Sequence, residues 1–205
     1  MLPDIKFIGR ISYDDSVNLQ NEERLQVLNG KSPGCIFFLE HFPPVITIGR
    51  QGSSASLLKS AKYLNSQGIE VKNSSRGGDI TAHEPGQLVV YFVLPVESKN
   101  AGKFVNSIID KIIFFLEKDY YIKSGYDKKN PGIWVNGAKI CSIGFDLTGG
   151  VSMHGIALNV NNSLDTFQYI IPCGINGCDM TTMEKATGKK IIIEEVYEKL
   201  RKYFL

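Results

Sequence analysis

Ile133-Trp134-Val135-Asn136-Gly137-Ala138-Lys139-Ile140-Cys141-Ser142-Ile143-Gly144 decides the fold class. Asn-Gly accepts the two positive φ angles of a tight hairpin turn, so the strand before it and the strand after it pair antiparallel. Gly149-Gly150 marks a second tight turn into Val151 through Val160, and Pro131 to Asn161 therefore reads as a three-strand meander. Working outward, Cys35 to Glu40 and Val45 to Ile48 are short β-rich runs on either side of His41-Phe42-Pro43-Pro44, and Leu88 to Leu94 is a buried strand. Ser12 to Asp15 is a capping box that opens a helix with Tyr13, Val17, Leu25 and Leu28 on its apolar face and Gly30 as its stop. Leu57, Leu58, Ala61 and Leu64 predict a short second helix, Phe104 to Leu116 a long buried one, and Ile191 to Tyr203 a closing one. Asn73 to Gln87 reads as a loop entering the next strand. The sum is an α/β (α+β) fold, with a mixed, largely antiparallel sheet packed with helices in one domain over residues 1–205.

Composition excludes several classes. At 205 residues, with 43% hydrophobic and 21% charged residues, the chain can bury a core without cross-links. Its net charge of +2 lacks the basic surplus of a non-specific nucleic-acid binder. No run approaches the roughly 18 apolar residues of a membrane span, and four scattered cysteines do not make a secreted disulfide framework. A reducing, cytoplasmic setting is the expectation.

Cys173, in Ile171-Pro172-Cys173-Gly174, stands on a turn that can expose a sulfur, although free cysteines more often pack as small hydrophobes. Cys35 and Cys141 lie in apolar strands and read as packing residues, and Cys178 lacks the companions a zinc site needs. Lys139 follows the hairpin turn. Sharing an apolar face with Cys141, Ile143 and Phe145 would desolvate it, while snorkelling to water is the alternative. His83 can act as base, donor or loop hydrogen-bonder, and His154 reads as a core histidine. Arg76-Gly77-Gly78 places a guanidinium beside an unobstructed backbone. Phosphate-loop, dinucleotide and metal-ligand motifs are missing from the sequence, so neither cofactor nor metal is expected.

Four blocks in series resemble the octanoyltransferase family of lipoate biosynthesis, also called lipoate-protein ligase B. They are Arg76-Gly77-Gly78-Asp79-Ile80-Thr81-Ala82-His83-Glu84-Pro85-Gly86-Gln87-Leu88-Val89, Gly137-Ala138-Lys139-Ile140-Cys141-Ser142-Ile143-Gly144, Met153-His154-Gly155-Ile156-Ala157-Leu158-Asn159-Val160 and Ile171-Pro172-Cys173-Gly174-Ile175. The resemblance implies the fold of biotin and lipoate protein ligase catalytic domains. It also implies transfer of an octanoyl group from the phosphopantetheine thioester of acyl carrier protein to a lysine of lipoyl domains, those of 2-oxo acid dehydrogenases and of the glycine cleavage H protein. By position, Cys173 matches the nucleophile and Lys139 the residue that tunes it. Arg76, Gly77, Gly78, Asp79, Ile80, Thr81, Ala82 and His83 match a substrate-binding stretch, as do Ser142, Ile143 and Gly144, and Gly155, Ile156 and Ala157. Gly155 and Ala157, being small, leave room for the acyl chain, and backbone N–H groups of the glycine-rich loop are the expected oxyanion donors. Glu84 departs from the family pattern, where a small residue follows the histidine, and a carboxylate there would either raise the pKa of His83 or recruit a different lipoyl-domain surface. Asp79 replaces a more common neutral residue. An ATP-dependent ligase, an amidotransferase between lipoyl domains and a non-catalytic carrier-binding module are the rival readings.

Overall fold

A computed structural model describes residues 2–172 and 177–205. Strand β1 (Asp4–Ile11) leads into helix α1 (Tyr13–Leu28), then β2 (Cys35–His41), β3 (Val45–Ile48), α2 (Ala61–Ser66), β4 (Glu70–Asn73), β5 (Ile80–His83) and β6 (Gln87–Val93). Helix α3 (Ala101–Tyr120), β7 (Gly125–Asp127), β8 (Gly132–Val135), β9 (Ala138–Asp146), β10 (Met153–Asn159), α4 (Met183–Thr187) and α5 (Ile193–Leu200) complete the order. A seven-stranded sheet runs β1-β2-β6-β10-β9-β8-β7 and a three-stranded sheet runs β4-β3-β5. Pairing in the large sheet is antiparallel except between β1 and β2. The meander is present as β8, β9 and β10, and Asn136 (φ 50°) and Gly137 (φ 84°) adopt the positive angles the hairpin requires.

The period of two divides each central strand between two layers. In β6, Leu88, Val90 and Phe92 join Ile108, Ile112 and Phe115 of α3 and Val196 and Leu200 of α5. Val89 and Tyr91 face the other way, with Phe37, Leu39 and Ala157, under α1. The small sheet turns Ile46, Ile80 and Ala82 outward onto Leu64, Phe167 and Ile170. Its inner face meets the α1 side of the large sheet.

Several expectations are corrected. Helix α1 starts at the expected cap, with Ser12 Oγ accepting from the Asp15 amide at 3.1 Å, but it buries Tyr13, Ser16 and Gln20. Leu25 and Leu28 are exposed. Of the expected face Tyr13 is buried and Val17 half-buried, while Leu19 and Val27 pack onto the sheet and polar side chains satisfied on backbone groups fill the rest of the inward stripe: Ser16 Oγ donates to Tyr13 O and Gln20 Nε2 to Ser16 O. The Asn73–Gln87 segment contains β5, whose pairing with β3 supplies hydrogen bonds that no local pattern announces. Leu57 and Leu58 precede α2, which Ser60 caps. Strands β1 and β4 and helix α4 were not foreseen.

Gly155 pairs with both Tyr91 and Gly144. A Cβ there would stand 2.2 Å from Val90 O, so close backbone approach, rather than room for a ligand alone, requires glycine. Gly155→Val is expected to destabilise the fold by about 3 kcal/mol or more, read as a lower denaturation midpoint with an unchanged slope.

Candidate active site

Between the inner face of the small sheet and the α1 side of the large one runs a narrow slot of about 120 Å³. Strand alternation builds both walls. Val89 and Tyr91 of β6, Ala157 of β10 and Ser142 of β9 come from the large sheet, and Thr47, Thr81 and His83 from the small one. Of the residues expected to bind substrate, Arg76, Gly78, Asp79, Thr81, His83, Ser142, Ile143, Gly144, Gly155, Ile156 and Ala157 border the slot. Ile80 and Ala82 do not, because the same alternation that turns Thr81 and His83 inward turns them into the outer cluster. Gly77 is also outside the lining; its amide donates to Phe145 O at 2.9 Å. Tyr13, Thr47, Ser74, Val89, Tyr91, Pro131 and His154 complete the walls. Only the pleat of the flanking strands could have revealed Val89 and Tyr91 from sequence.

The glycine-rich loop is braced. Arg76 is buried, donating Nε to Thr47 Oγ1 at 3.1 Å, Nη2 to Thr47 O at 2.6 Å and Nη1 to Gly77 O at 3.1 Å. The Gly78 amide donates to Gln51 Oε1, and Asp79 Oδ2 accepts from Ser56 Oγ at 3.0 Å. The Gly77 and Gly78 amides are thus both engaged within the protein.

All three histidines of the chain lie at this site. The His41 and His83 rings are 5.2 Å apart, and Tyr91 lies 5.9 Å from His41 and 5.8 Å from His154. The Ile11 carbonyl near His41 Nδ1 can only accept, so Nε2 accepts from the Tyr91 hydroxyl at 2.7 Å. His83 Nδ1 donates to Gln87 Oε1 at 2.8 Å and Nε2 faces Thr47 Oγ1 at 3.5 Å. Burial pushes His41 down to about 4, pushes His154 down to about 4, and holds His83 well below the usual range, with the neighbouring His41 adding to it.

Glu84 does not act on His83. Its Oε1 accepts from Asn162 Nδ2 at 2.9 Å and the Leu164 amide at 2.6 Å, and its Oε2 from the Thr166 amide at 3.0 Å. That carboxylate fixes the segment leading toward Cys173. Because the folded histidines stay neutral while the unfolded chain takes up protons below about pH 6.5, stability must fall as pH drops from about 6.5 toward 4. Linkage allows up to about 3 kcal/mol per histidine over that window. Urea midpoints at pH 7, 6, 5 and 4 are expected to decline steeply below 6.

Lys139 is fully buried and does not snorkel. Its Nζ donates to Pro131 O at 3.1 Å and lies 5.0 Å from the centre of the Trp134 ring. A carbonyl and a π face thus both meet the side-chain nitrogen. Gly132 makes room, since a Cβ on it would stand 2.7 Å from Lys139 Cε. Pro131 borders the slot, so the amine is bonded to a wall residue, although Lys139 is not itself part of the lining. The Lys139 backbone also holds the chain beyond Cys173: its amide donates to Asp179 O at 2.8 Å and its carbonyl accepts from the Thr181 amide at 2.9 Å. Cys173 itself lies outside the described residues. Cys35 and Cys141 are packing residues, with burial pushing each thiol up to about 12. Among the described residues no cluster suits a metal ion, and no helix is long and apolar enough to cross a membrane.

The sequence model of the lipoyl protein ligase A/B catalytic domain matches residues 13–205. An octanoyltransferase of Caldicellulosiruptor bescii is 36% identical over 208 residues, covering 100% of this chain and 90% of the relative. One of Dictyoglomus thermophilum is 41% identical over 198 residues, covering 96% and 83%. Among solved structures, a lipoate-protein ligase A bound with ATP superposes with a TM-score of 0.80 at 15% identity, covering 100% of this chain and 84% of that one. A bipartite lipoate protein ligase of Thermoplasma acidophilum gives 0.78 at 14%, covering 100% and 82%. The structures share the fold, and the sequence relatives carry the assignment: this chain belongs to the lipoyl protein ligase A/B catalytic-domain family and is an acyltransferase of its octanoyltransferase group.

Proposed function

We propose that the protein moves an octanoyl group from the phosphopantetheine thioester of acyl carrier protein to the acceptor lysine of a lipoyl domain, by way of a thioester on Cys173. The observation that carries this reading is the slot across the sheet face, one of whose wall residues, Pro131, accepts a hydrogen bond from a buried amine. Apolar walls suit a medium acyl chain, each buried methylene being worth about 0.8 kcal/mol. A thioester is already activated, so exchange onto a second sulfur needs no ATP.

The Cys173 thiolate, paired with the Lys139 ammonium, attacks the octanoyl carbonyl carbon. A new C–S bond forms, and the C–S bond to phosphopantetheine breaks. The departing thiolate takes a proton from Lys139, which becomes neutral. The acceptor lysine, entering as a free amine, then attacks the acyl-enzyme. As the amide forms, Lys139 takes the proton lost from that nitrogen and Cys173 leaves as thiolate, restoring the starting pair. His83 is not the base in this scheme, because Gln87 and Thr47 face both ring nitrogens.

Incubation with octanoyl-acyl carrier protein, followed by intact-mass and peptide mapping, tests the reading. One added octanoyl group on the peptide containing Cys173, discharged by a lipoyl domain, is the expected result. Transfer only from free octanoate with ATP, without an acyl-enzyme, would overturn it in favour of a ligase.

A further inference from the structure

The slot ends against a thin partition. Tyr13, Ser74 and His154 border it on one side and on the other border an open hollow of about 550 Å³ flanked by Val17 and Asn21 of α1. We propose that this partition sets the acyl-chain length the enzyme accepts, with Tyr13 as the main length-determining residue. The inference rests on the proposed acyl transfer and adds the substrate limit to it.

The geometry favours a fixed stop. Tyr13 is the first residue of α1, is 4% exposed and packs its ring 5.6 Å from that of His41. His154 has φ 59°, a left-handed angle inside a strand. That conformation is uncommon outside glycine and costs free energy unless its surroundings enforce it. They do: the His154 amide donates to Gln20 Oε1 at 2.7 Å, and its Nε2 lies 3.0 Å from Ser75 Oγ. Helix α1 thus supplies Tyr13 and holds His154 in place.

Position along the sheet agrees. Lys139 opens β9 and Phe145, the partner of His154, nearly closes it, a span of roughly 20 Å at the rise of a strand. That span is the length scale of a medium acyl chain plus the lysine side chain, and on this proposal the partition stops a longer one. Behind the partition the hollow is open, so removing the tyrosine ring joins the two spaces.

The test compares initial acylation rates by intact mass with octanoyl-, dodecanoyl- and tetradecanoyl-acyl carrier protein. Wild-type enzyme is expected to favour octanoyl strongly. In Tyr13→Ala the dodecanoyl-to-octanoyl rate ratio is expected to rise at least tenfold, and in Tyr13→Ala/Val17→Trp, where the indole refills the hollow, to fall back. A ratio compares two donors on one variant, so a general loss of activity cancels. Should Tyr13→Ala fail to fold by circular dichroism, Tyr13→Leu, which keeps an apolar side chain but shortens it, is expected to raise the same ratio. A folded variant with an unchanged ratio overturns the partition. Wild-type enzyme that takes no octanoyl group at all overturns instead the acyl-transfer reading beneath it.

Discussion

Cys173→Ala is expected to eliminate the acyl-enzyme mass peak and to reduce octanoyl transfer by about 10⁴-fold or more, the scale seen when a covalent nucleophile is deleted. The described thiols offer little competition. Cys35 and Cys141 are buried, and their thiols are pushed up to about 12, so almost no thiolate exists at neutral pH. Cys178 is partly exposed, and Cys178→Ser is expected to keep full acylation. Mapping of the octanoyl group to any peptide lacking Cys173 would end the proposal.

Lys139→Met is expected to slow acyl-enzyme formation by about 10²- to 10³-fold, in the range for losing a positioned proton donor or a preorganised charge. Methionine nearly matches the buried volume and removes the charge. Because the backbone of residue 139 carries the bonds to Asp179 and Thr181, the substitution leaves those tethers in place and reads the amine itself. Removing the ammonium leaves the Pro131 carbonyl without that donor, so a modest fall in melting temperature, on the order of 1–3 kcal/mol of stability, is expected beside the loss of rate. In a Cys178→Ser background, the pH at which iodoacetamide alkylates Cys173 half-maximally is expected to rise by about one unit, since an adjacent ammonium favours thiolate. Trp134→Leu, which removes the π face beside Nζ, is expected to move that pH in the same direction by less, and Trp134→Phe to restore most of it. An alkylation profile unmoved by Lys139→Met would separate the amine from the thiol.

Much of the large sheet was legible because its signals are local. Asn136-Gly137 dictates a hairpin, and the even and odd residues of β6 sort between two layers by the pleat alone. Strand β5 was not legible: Ile80 to His83 is too short to show alternation and acquires its identity by pairing with Val45 to Ile48. The face of α1 misled in part, since Ser16 and Gln20 look like surface residues until their backbone partners are known. At the site, the blocks located the slot but not its division of labour. Arg76 looks like a ligand clamp in sequence and is a brace on Thr47, and Glu84 looks like a partner for His83 and instead gathers the Leu164 and Thr166 amides. Such roles depend on which distant backbone comes within hydrogen-bond reach, and no spacing rule encodes that.

The Glu84 carboxylate ties the strand that forms the slot wall to the chain arriving at Cys173, while the main chain of Lys139 grips the chain departing from it. The segments on either side of the described gap are thus anchored on the two strands that flank the slot. Substitutions at Glu84, though its oxygens never face the acyl chain, should register as altered turnover before they register as altered affinity.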